Sequence, residues 1–269
     1  MTDAVIIVLR EVLEAMLLIC LLMASSTAMG VRVKWLVASL VIGMIGASLY
    51  GVNLETVSMA FAGFGQELVN SGLLIAIALL LAAHNFLATR KMIDSDYTTP
   101  VLLLQFLCIG IVSMAVTREG AEIYLYLYAY GVLADNMNSV FSGGAIGMGV
   151  GLSFGTFFYY GLSALKSRRR LLVCCVLSLV LAAGMMGQAA FYLSQADILP
   201  SQFTLWDTSG VVAESSLIGE LLHAAIGYEA SPTLTQAFLY LGSILISLLA
   251  MLLAWWIARQ RVAVKKESC

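Results

Sequence analysis

Two pentapeptides, Arg10-Glu11-Val12-Leu13-Glu14 and Arg118-Glu119-Gly120-Ala121-Glu122, place charged side chains inside long apolar stretches. Both read R-E-x-x-E. An ionisable side chain at the centre of a bilayer costs roughly 2.5–3.5 kcal/mol on insertion scales. Two copies of the same costly cluster therefore point to a use. Residues three apart on a helix share a face, so Glu11 and Glu14 project together, as do Glu119 and Glu122. Two such helices face to face would set four carboxylates around one volume. Oxygen-only donors of this kind suit hard or borderline cations such as iron, manganese, magnesium or calcium. Arg10 reaches Glu14 at i,i+4 and Arg118 reaches Glu122, which lowers the cost of an empty site and keeps some carboxylates ionised. A salt bridge that merely fixes helix packing would account for one such motif more readily than for two matched ones.

The elements that must position these residues are membrane helices. Of 269 residues, 61% are hydrophobic and only 11% charged, whereas soluble domains carry roughly 25% charged residues. A span needs about 20 mostly apolar residues, and seven stretches qualify: 4–24, 35–52, 67–88, 101–130, 143–164, 171–193 and 234–257. They are helical, because an open sheet would leave backbone groups unsatisfied in lipid, and they are too long for the short alternating strands of a membrane barrel. The expected fold is an all-α polytopic membrane protein of seven transmembrane helices, a single membrane domain over 1–269.

The basic residues sort by side. Arg32, Lys34, Arg90, Lys91, Lys166, Arg168, Arg169, Arg170, Arg259, Arg261, Lys265 and Lys266 all fall on one side of a seven-span arrangement, and the other two, Arg10 and Arg118, lie within spans. The positive-inside rule then puts the N-terminus outside and the C-terminus in the cytoplasm. The outer segments carry Asp3, Glu55, Asp135, Asp197, Asp207, Glu214, Glu220 and Glu229, with Glu67 at the mouth of the third span. A face of carboxylates without cations raises the local cation concentration; exclusion of Lys and Arg by topology alone would leave the same pattern.

The first and fourth spans run in opposite directions and carry the same motif. Residues 1–88 and 101–193 thus read as an inverted 3+3 repeat, followed by an outer loop with a surface helix at 194–233 and a last span at 234–257. Inverted repeats place transport sites near the midplane between the halves. Residues 101–134 are too long for one upright span, so the fourth helix is expected to be tilted, broken or extended past the membrane. Beyond the pentapeptides the halves share no visible sequence, and Gly120 has Val12 as its counterpart.

The remaining features carry less. Met1-Thr2-Asp3 lacks the positive region of a secretory signal, so the first span is read as retained. Cys20, Cys108, Cys174, Cys175 and Cys269 lack zinc-type spacing and lie in no outer segment, so they read as apolar filler without disulfides. The scattered methionines read as packing. No basic run alternates with aromatics, which argues against a nucleic-acid partner. In the loop, Val211, Ser215, Ile218, Leu222 and Ile226 recur at helical spacing, with Ser209 as N-cap and Gly227 as C′ residue. The polar residues of that helix, Glu214, Glu220 and His223, form either a solvated face or a place that receives iron or a delivery protein. His84 falls near the inner end of the third span, as a helix-end hydrogen-bonding group or an aid to ion exit. Tyr124, Tyr126, Tyr128 and Tyr130 read as interfacial anchors, with Tyr124 close enough to the motif to bond a carboxylate.

The doubled motif resembles that of the oxidase-dependent, high-affinity iron permease family, which has fungal members that work with a multicopper ferroxidase and bacterial EfeU-type members. Seven spans with the N-terminus outside match that family. Gly65-Gln66-Glu67-Leu68 is similar to its acidic mouth of the third span, and Trp206-Asp207-Thr208-Ser209 and Gly227-Tyr228-Glu229-Ala230-Ser231-Pro232 are similar to its segment before the last span. The resemblance implies iron import across a plasma membrane, a bacterial inner membrane by chain length. It implies Glu11, Glu14, Glu119 and Glu122 as metal ligands, with Glu67 added, and Arg10 and Arg118 as charge partners. Iron would be substrate, with no cofactor and no enzymatic activity. Two departures stand out. The third motif position is Val12 where the family often has glycine, and no large extracytoplasmic extension is present, so a ferroxidase or iron-delivery protein is expected to be separate. Assembly into a homo-oligomer is compatible with the sequence.

Two alternatives remain at this point. One is a carrier of another divalent cation such as manganese or lead, because carboxylates select weakly among them. The other is a membrane carboxylate-bridged di-iron enzyme. Such sites use Glu-x-x-His pairs, and by sequence neither histidine is placed to help either motif. A structural or sensory protein would use the carboxylates for folding only. Oxidation state, coupling ion, and channel against alternating access are left open.

Overall fold

The computed structural model describes residues 2–94, 96–133, 137–200, 203–214 and 216–267. Asp135, Ser215 and Cys269, singled out above, lie outside the described residues. The chain runs through α1 (Thr2–Ala28), α2 (Trp35–Val52), the short α3 (Leu54–Met59), α4 (Gly65–Ile93), α5 (Val101–Tyr126), α6 (Met137–Ser163), α7 (Ser167–Gln195), α8 (Leu217–Ile226) and α9 (Leu234–Glu267). Among the described residues the extended structure amounts to one bridge between Thr204 and Thr233. Six helices, α2, α4, α5, α6, α7 and α9, are long and apolar enough to cross a membrane. The helix with the first motif, α1, is 27 residues long.

The fourth expected span is not uniform: regular α-helix ends at Tyr126, and Leu127–Leu133 continues as π-helix.

The packing has a repeated form. Helix α1 lies along α6, and α5 lies along α2; α4 lies along α7; α4 meets α5 as α7 meets α1; and α9 rests on α4 and α7. Small residues set the close pairs. On α2, Ser39, Gly43, Ala47 and Gly51 are buried, and on α6, Gly143, Gly147, Gly151 and Gly155 are buried. Membrane helices lack a hydrophobic driving force between them, so small residues that let backbones approach are a main source of contact.

Two contacts recur in both halves, four residues apart. A Cβ on Gly151 would sit 2.6 Å from Val12, and one on Gly155 would collide with Met16; correspondingly, a Cβ on Gly120 would sit 2.8 Å from Ala47, and one on Gly51 would sit 2.5 Å from Tyr124. This accounts for the difference between the motifs. In the first copy the valine is on α1 and the glycine on its partner α6; in the second the glycine is on α5 and the larger residue on its partner α2.

The core lies toward the C-terminal half of α1, where Leu18, Leu21 and Leu22 meet Leu74, Ile77 and Leu81 of α4, Leu104 and Ile111 of α5, and Cys174 and Ala182 of α7. Cys20, Cys108, Cys174 and Cys175 are buried free thiols. At this end Ser167 donates to the Ala28 carbonyl at 3.1 Å, and Arg170 caps the Ser163 and Leu165 carbonyls at 2.5 and 3.1 Å. The basic α6–α7 connection and the end of α1 that leads to Arg32 and Lys34 are therefore on one side.

The loop helix departs from its expected start. Asp207 accepts from the Ser209 amide at 2.9 Å, and Thr208 bonds Tyr228 and Ala230, which holds this stretch as a turn. Helix α8 begins at Leu217 instead, and its N-cap is Ser216, which accepts from the Gly219 amide at 3.0 Å. Val211 lies outside the helix, and Ile218 and Ile226 are exposed. Gly227 ends the helix with φ +66°, as expected. The helix is seated on α1, with Ala224, Leu221 and Ala225 against Leu9, Leu13 and Leu17.

Candidate metal centre

Helices α1 and α5 are rich in Leu, Met, Ala and Glu, which lose little rotamer freedom in a helix. Each therefore stays regular through its motif, and each motif presents a single face. These faces meet. Glu11, Glu14, Arg118 and Glu119 are 2%, 6%, 2% and 3% exposed. One carboxylate oxygen each from Glu11, Glu119 and Glu122 lies within 4.8 Å of the others, close enough for a single ion to touch all three.

The arginines bind the cluster together. Arg118 lies 2.7 Å from Glu119 and 3.4 Å from Glu122, its partner at i,i+4, and it also crosses to Glu14 of α1 at 3.4 Å. Arg10 lies 3.2 Å from Glu11 and 3.8 Å from Glu14. The expected pairs within each motif are present, and the pair between α1 and α5 is additional. Two of the cluster's oxygens accept no hydrogen bond although buried, Glu11 Oε2 and Glu119 Oε2. Buried acceptors left without a partner cost about 1–3 kcal/mol each, more when charged. A cation among them would remove that cost.

The other sequence-predicted residues take different places. Glu67 is in the first turn of α4 and is not one of the three converging carboxylates. One turn further along α4, Asn70 accepts from Tyr50 of α2 at 3.2 Å. The Tyr124 ring packs on Gly51 and stacks on Tyr128, with centroids 6.2 Å apart. His84 is not at a helix end facing water. It is 1% exposed and bonded to Ser25 at 3.2 Å, beside Asn85, which bonds Ser178.

Residues outside the motifs also reach the cluster. Glu220 of α8 lies 3.6 Å from Arg10, so one guanidinium is shared by three carboxylates. His223, which the sequence put at neither motif, shares a small cavity with Glu14 and Gln188. The helical spacing of Glu220 and His223 was visible in the sequence; that α8 turns this face onto α1 was not.

The loop between α7 and α9 is itself well bonded. Glu214 accepts from the Ala230 amide at 2.6 Å, and Gln236 donates to Glu229 at 2.6 Å. Burial holds the Glu229 carboxyl above its usual range, with the Gln236 bond opposing. Next to it, Trp206, Tyr228, Phe238 and Tyr240 line an apolar cavity of about 540 Å³.

No curated protein and no solved structure matches this chain. A family model does, over a stretch that includes the second motif, α8 and most of α9 but begins after the first motif. Residues 90–264 match the Iron permease FTR1 family, and the chain belongs to that family.

Proposed function

We propose that this protein imports iron ions across the plasma membrane, and that the ion passes between α1 and α5 on the carboxylates of Glu11, Glu14, Glu119 and Glu122. The observation that carries this reading is the convergence of both R-E-x-x-E motifs on one buried cluster in a chain of an iron permease family. Arg10 and Arg118 act as resident charge partners. They offset part of the carboxylates' negative charge when no ion is present, and an arriving cation competes with them for the same oxygens. The donors are oxygens only, which fits iron in either oxidation state and admits manganese as the nearest competitor. Glu67 stands toward the outer side and passes ions inward past Tyr50.

In this reading α1 is a seventh span. Its 27 residues exceed the roughly 20 that a bilayer requires. The N-terminus is outside, the basic loops are cytoplasmic, and the membrane is the bacterial inner membrane. Exchange of α1 with α5, α2 with α6 and α4 with α7 leaves the helix pairing unchanged, which supports an inverted repeat with the cluster between its halves. The membrane potential supplies about 2.3 kcal/mol per charge per 100 mV for inward cation movement. A separate ferroxidase or delivery protein would hand iron to the outer face.

The test is uptake of radiolabelled iron into proteoliposomes that contain the purified protein. Ferrous iron under ascorbate and ferric citrate are supplied in turn, with wild type compared to Glu14→Gln and Glu119→Gln. Wild type is expected to take up iron, and each folded variant to lose on the order of 100-fold, the upper range for disturbing a metal site. Equal uptake by wild type and both variants would remove the carboxylates from the path.

A further inference from the structure

Helix α8 is fixed over the edge of the metal cluster from three sides. Its N-terminus is capped by Ser216, which accepts from the Gly219 amide at 3.0 Å. Its flank rests on Leu9, Leu13 and Leu17 of α1. Its C-terminal end lies against α7, where a Cβ on Gly184 would be 2.8 Å from the Gly227 Cα. Glu220 sits in the first turn of α8, where the helix dipole favours an acidic side chain. These contacts deliver its carboxylate to within 3.6 Å of Arg10 Nε.

The two arginines of the centre are held differently. Arg118 is 2% exposed and donates from Nη1 to Glu119 at 2.7 Å and to Glu14 at 3.4 Å. Arg10 Nε instead faces three carboxylates at once, Glu11 at 3.2 Å, Glu14 at 3.8 Å and Glu220 at 3.6 Å. That nitrogen carries one hydrogen, and it is buried without a hydrogen bond to any of them. Arg10 is therefore shared, where Arg118 is committed. Of the three partners, Glu11 contributes one of the oxygens that converge for a single ion, and Glu220 does not. Glu220 is a partner for Arg10 that stands outside the converging set.

We propose that Glu220 is a positioning residue of the metal centre, which takes over Arg10 as a cation displaces it from Glu11 and Glu14. The identity of the cargo rests on the permease reading; the exchange rests on the three ion pairs. A cation entering the cluster puts like charge beside Arg10. Without a third carboxylate, the guanidinium would either stay on Glu11 and oppose the ion or be left without a partner, and a desolvated charge without a partner is costly. With Glu220 present, Arg10 keeps a partner whether the cluster is empty or filled, and it returns to Glu11 and Glu14 once the ion has left. The second motif has no such outlet, since the partners of Arg118 are Glu14, Glu119 and Glu122, all motif residues. Charge is thus rearranged at α1, while Arg118 stays in place on α5.

Manganese(II) is the probe, added to the full chain purified in detergent, with free metal counted by electron paramagnetic resonance. Glu220→Gln keeps the shape of the side chain and removes its charge. Arg10 then stays on Glu11 and Glu14, and manganese should bind about tenfold more weakly, as when an outer partner of a metal ligand is lost. Arg10→Gln removes the competitor, so manganese should bind more tightly than to wild type. The double variant should bind like Arg10→Gln, because Glu220 acts through Arg10. A Glu220 that only seats α8, or that attracts the ion directly, predicts the same loss in both backgrounds, and that result would overturn the proposal. So would unchanged affinity in Glu220→Gln, or weaker binding in Arg10→Gln. Should Glu220→Gln fail to fold, Glu220→Asp takes its place in the same cycle, with a smaller loss expected beside Arg10 and none beside Arg10→Gln. Wild type that binds no manganese overturns the centre and this role with it. A cycle that closes as expected, in a protein that takes up no iron in proteoliposomes, upholds Glu220 and overturns the permease reading.

Discussion

Arg118 is the residue on which the centre turns. At 2% exposure it touches Glu119, Glu122 and Glu14. Removing one partner of a buried ionic network costs about 3–5 kcal/mol, because the charges left behind are unpaired. Arg118→Ala is therefore expected to lower stability by that amount in thermal unfolding of the detergent-solubilised protein. Arg10 has a side chain 34% exposed, but it leaves behind Glu11 and Glu14, which are buried, so Arg10→Ala should also destabilise, by less than Arg118→Ala because Glu14 keeps Arg118 as a partner. Equal losses in the two variants would contradict this account. The motifs announced these residues, because charge inside an apolar run is conspicuous and i,i+3 spacing fixes a common face. Spacing within a helix carries no information about which helix faces it, so the Arg118–Glu14 pair and the choice of Glu11, Glu119 and Glu122 as the converging oxygens were not legible.

At the scale of the element, close helix pairs depend on where each small residue lies. Gly120 against Ala47 and Val12 against Gly151 are two solutions to one contact. Gly120→Val should overpack α5 against α2 and cost about 1–3 kcal/mol. Adding Ala47→Gly reproduces the arrangement of the other pair and should restore most of that loss. A double variant no more stable than the single one would show that the two contacts are not equivalent. The loop between α7 and α9 offers a pH test. The folded-state carboxyl of Glu229 titrates above its unfolded value, so folded protein binds more protons than unfolded protein between the two values. Loop stability is then full below the ordinary glutamate pKa of about 4.3 and falls as pH rises through the folded value. Fluorescence of Trp206, in the same cavity wall, should follow that change, and Glu229→Gln should abolish it. The period of α8 was readable, but not its phase. Val211 and Ser209 look helical in sequence, yet the Asp207 turn and the Ser216 cap compete for the same backbone and move the start to Leu217.

For the whole molecule, sidedness is the property to check. The end of α1, the α6–α7 connection and Arg170 come together, so the positive residues of separate loops share one surface. In intact cells, a membrane-impermeant maleimide should label Ser209→Cys and leave Lys34→Cys unlabelled, in a Cys269→Ser background. The reverse pattern would invert the proposed orientation. The exposed apolar faces of α2, α6 and α9, with Ile45, Phe157 and Leu252 among them, are what a bilayer rather than water would cover.

The amino-acid sequence alone determined that this is a helical membrane protein, where its long apolar segments lie, and which four carboxylates are costly to place there. Those properties follow from local composition: desolvated backbone must be helical, and desolvated charge must be compensated. Tertiary structure alone decided how the segments pair, that glycine and its larger neighbour exchange sides between the two halves, and that α8 brings Glu220 and His223 to the edge of the cluster. In a soluble helix the hydrophobic face would have disclosed the partner. Here nearly every face is apolar, so azimuth and pairing are set by shape and by the few buried polar contacts, which appear only once the helices are assembled.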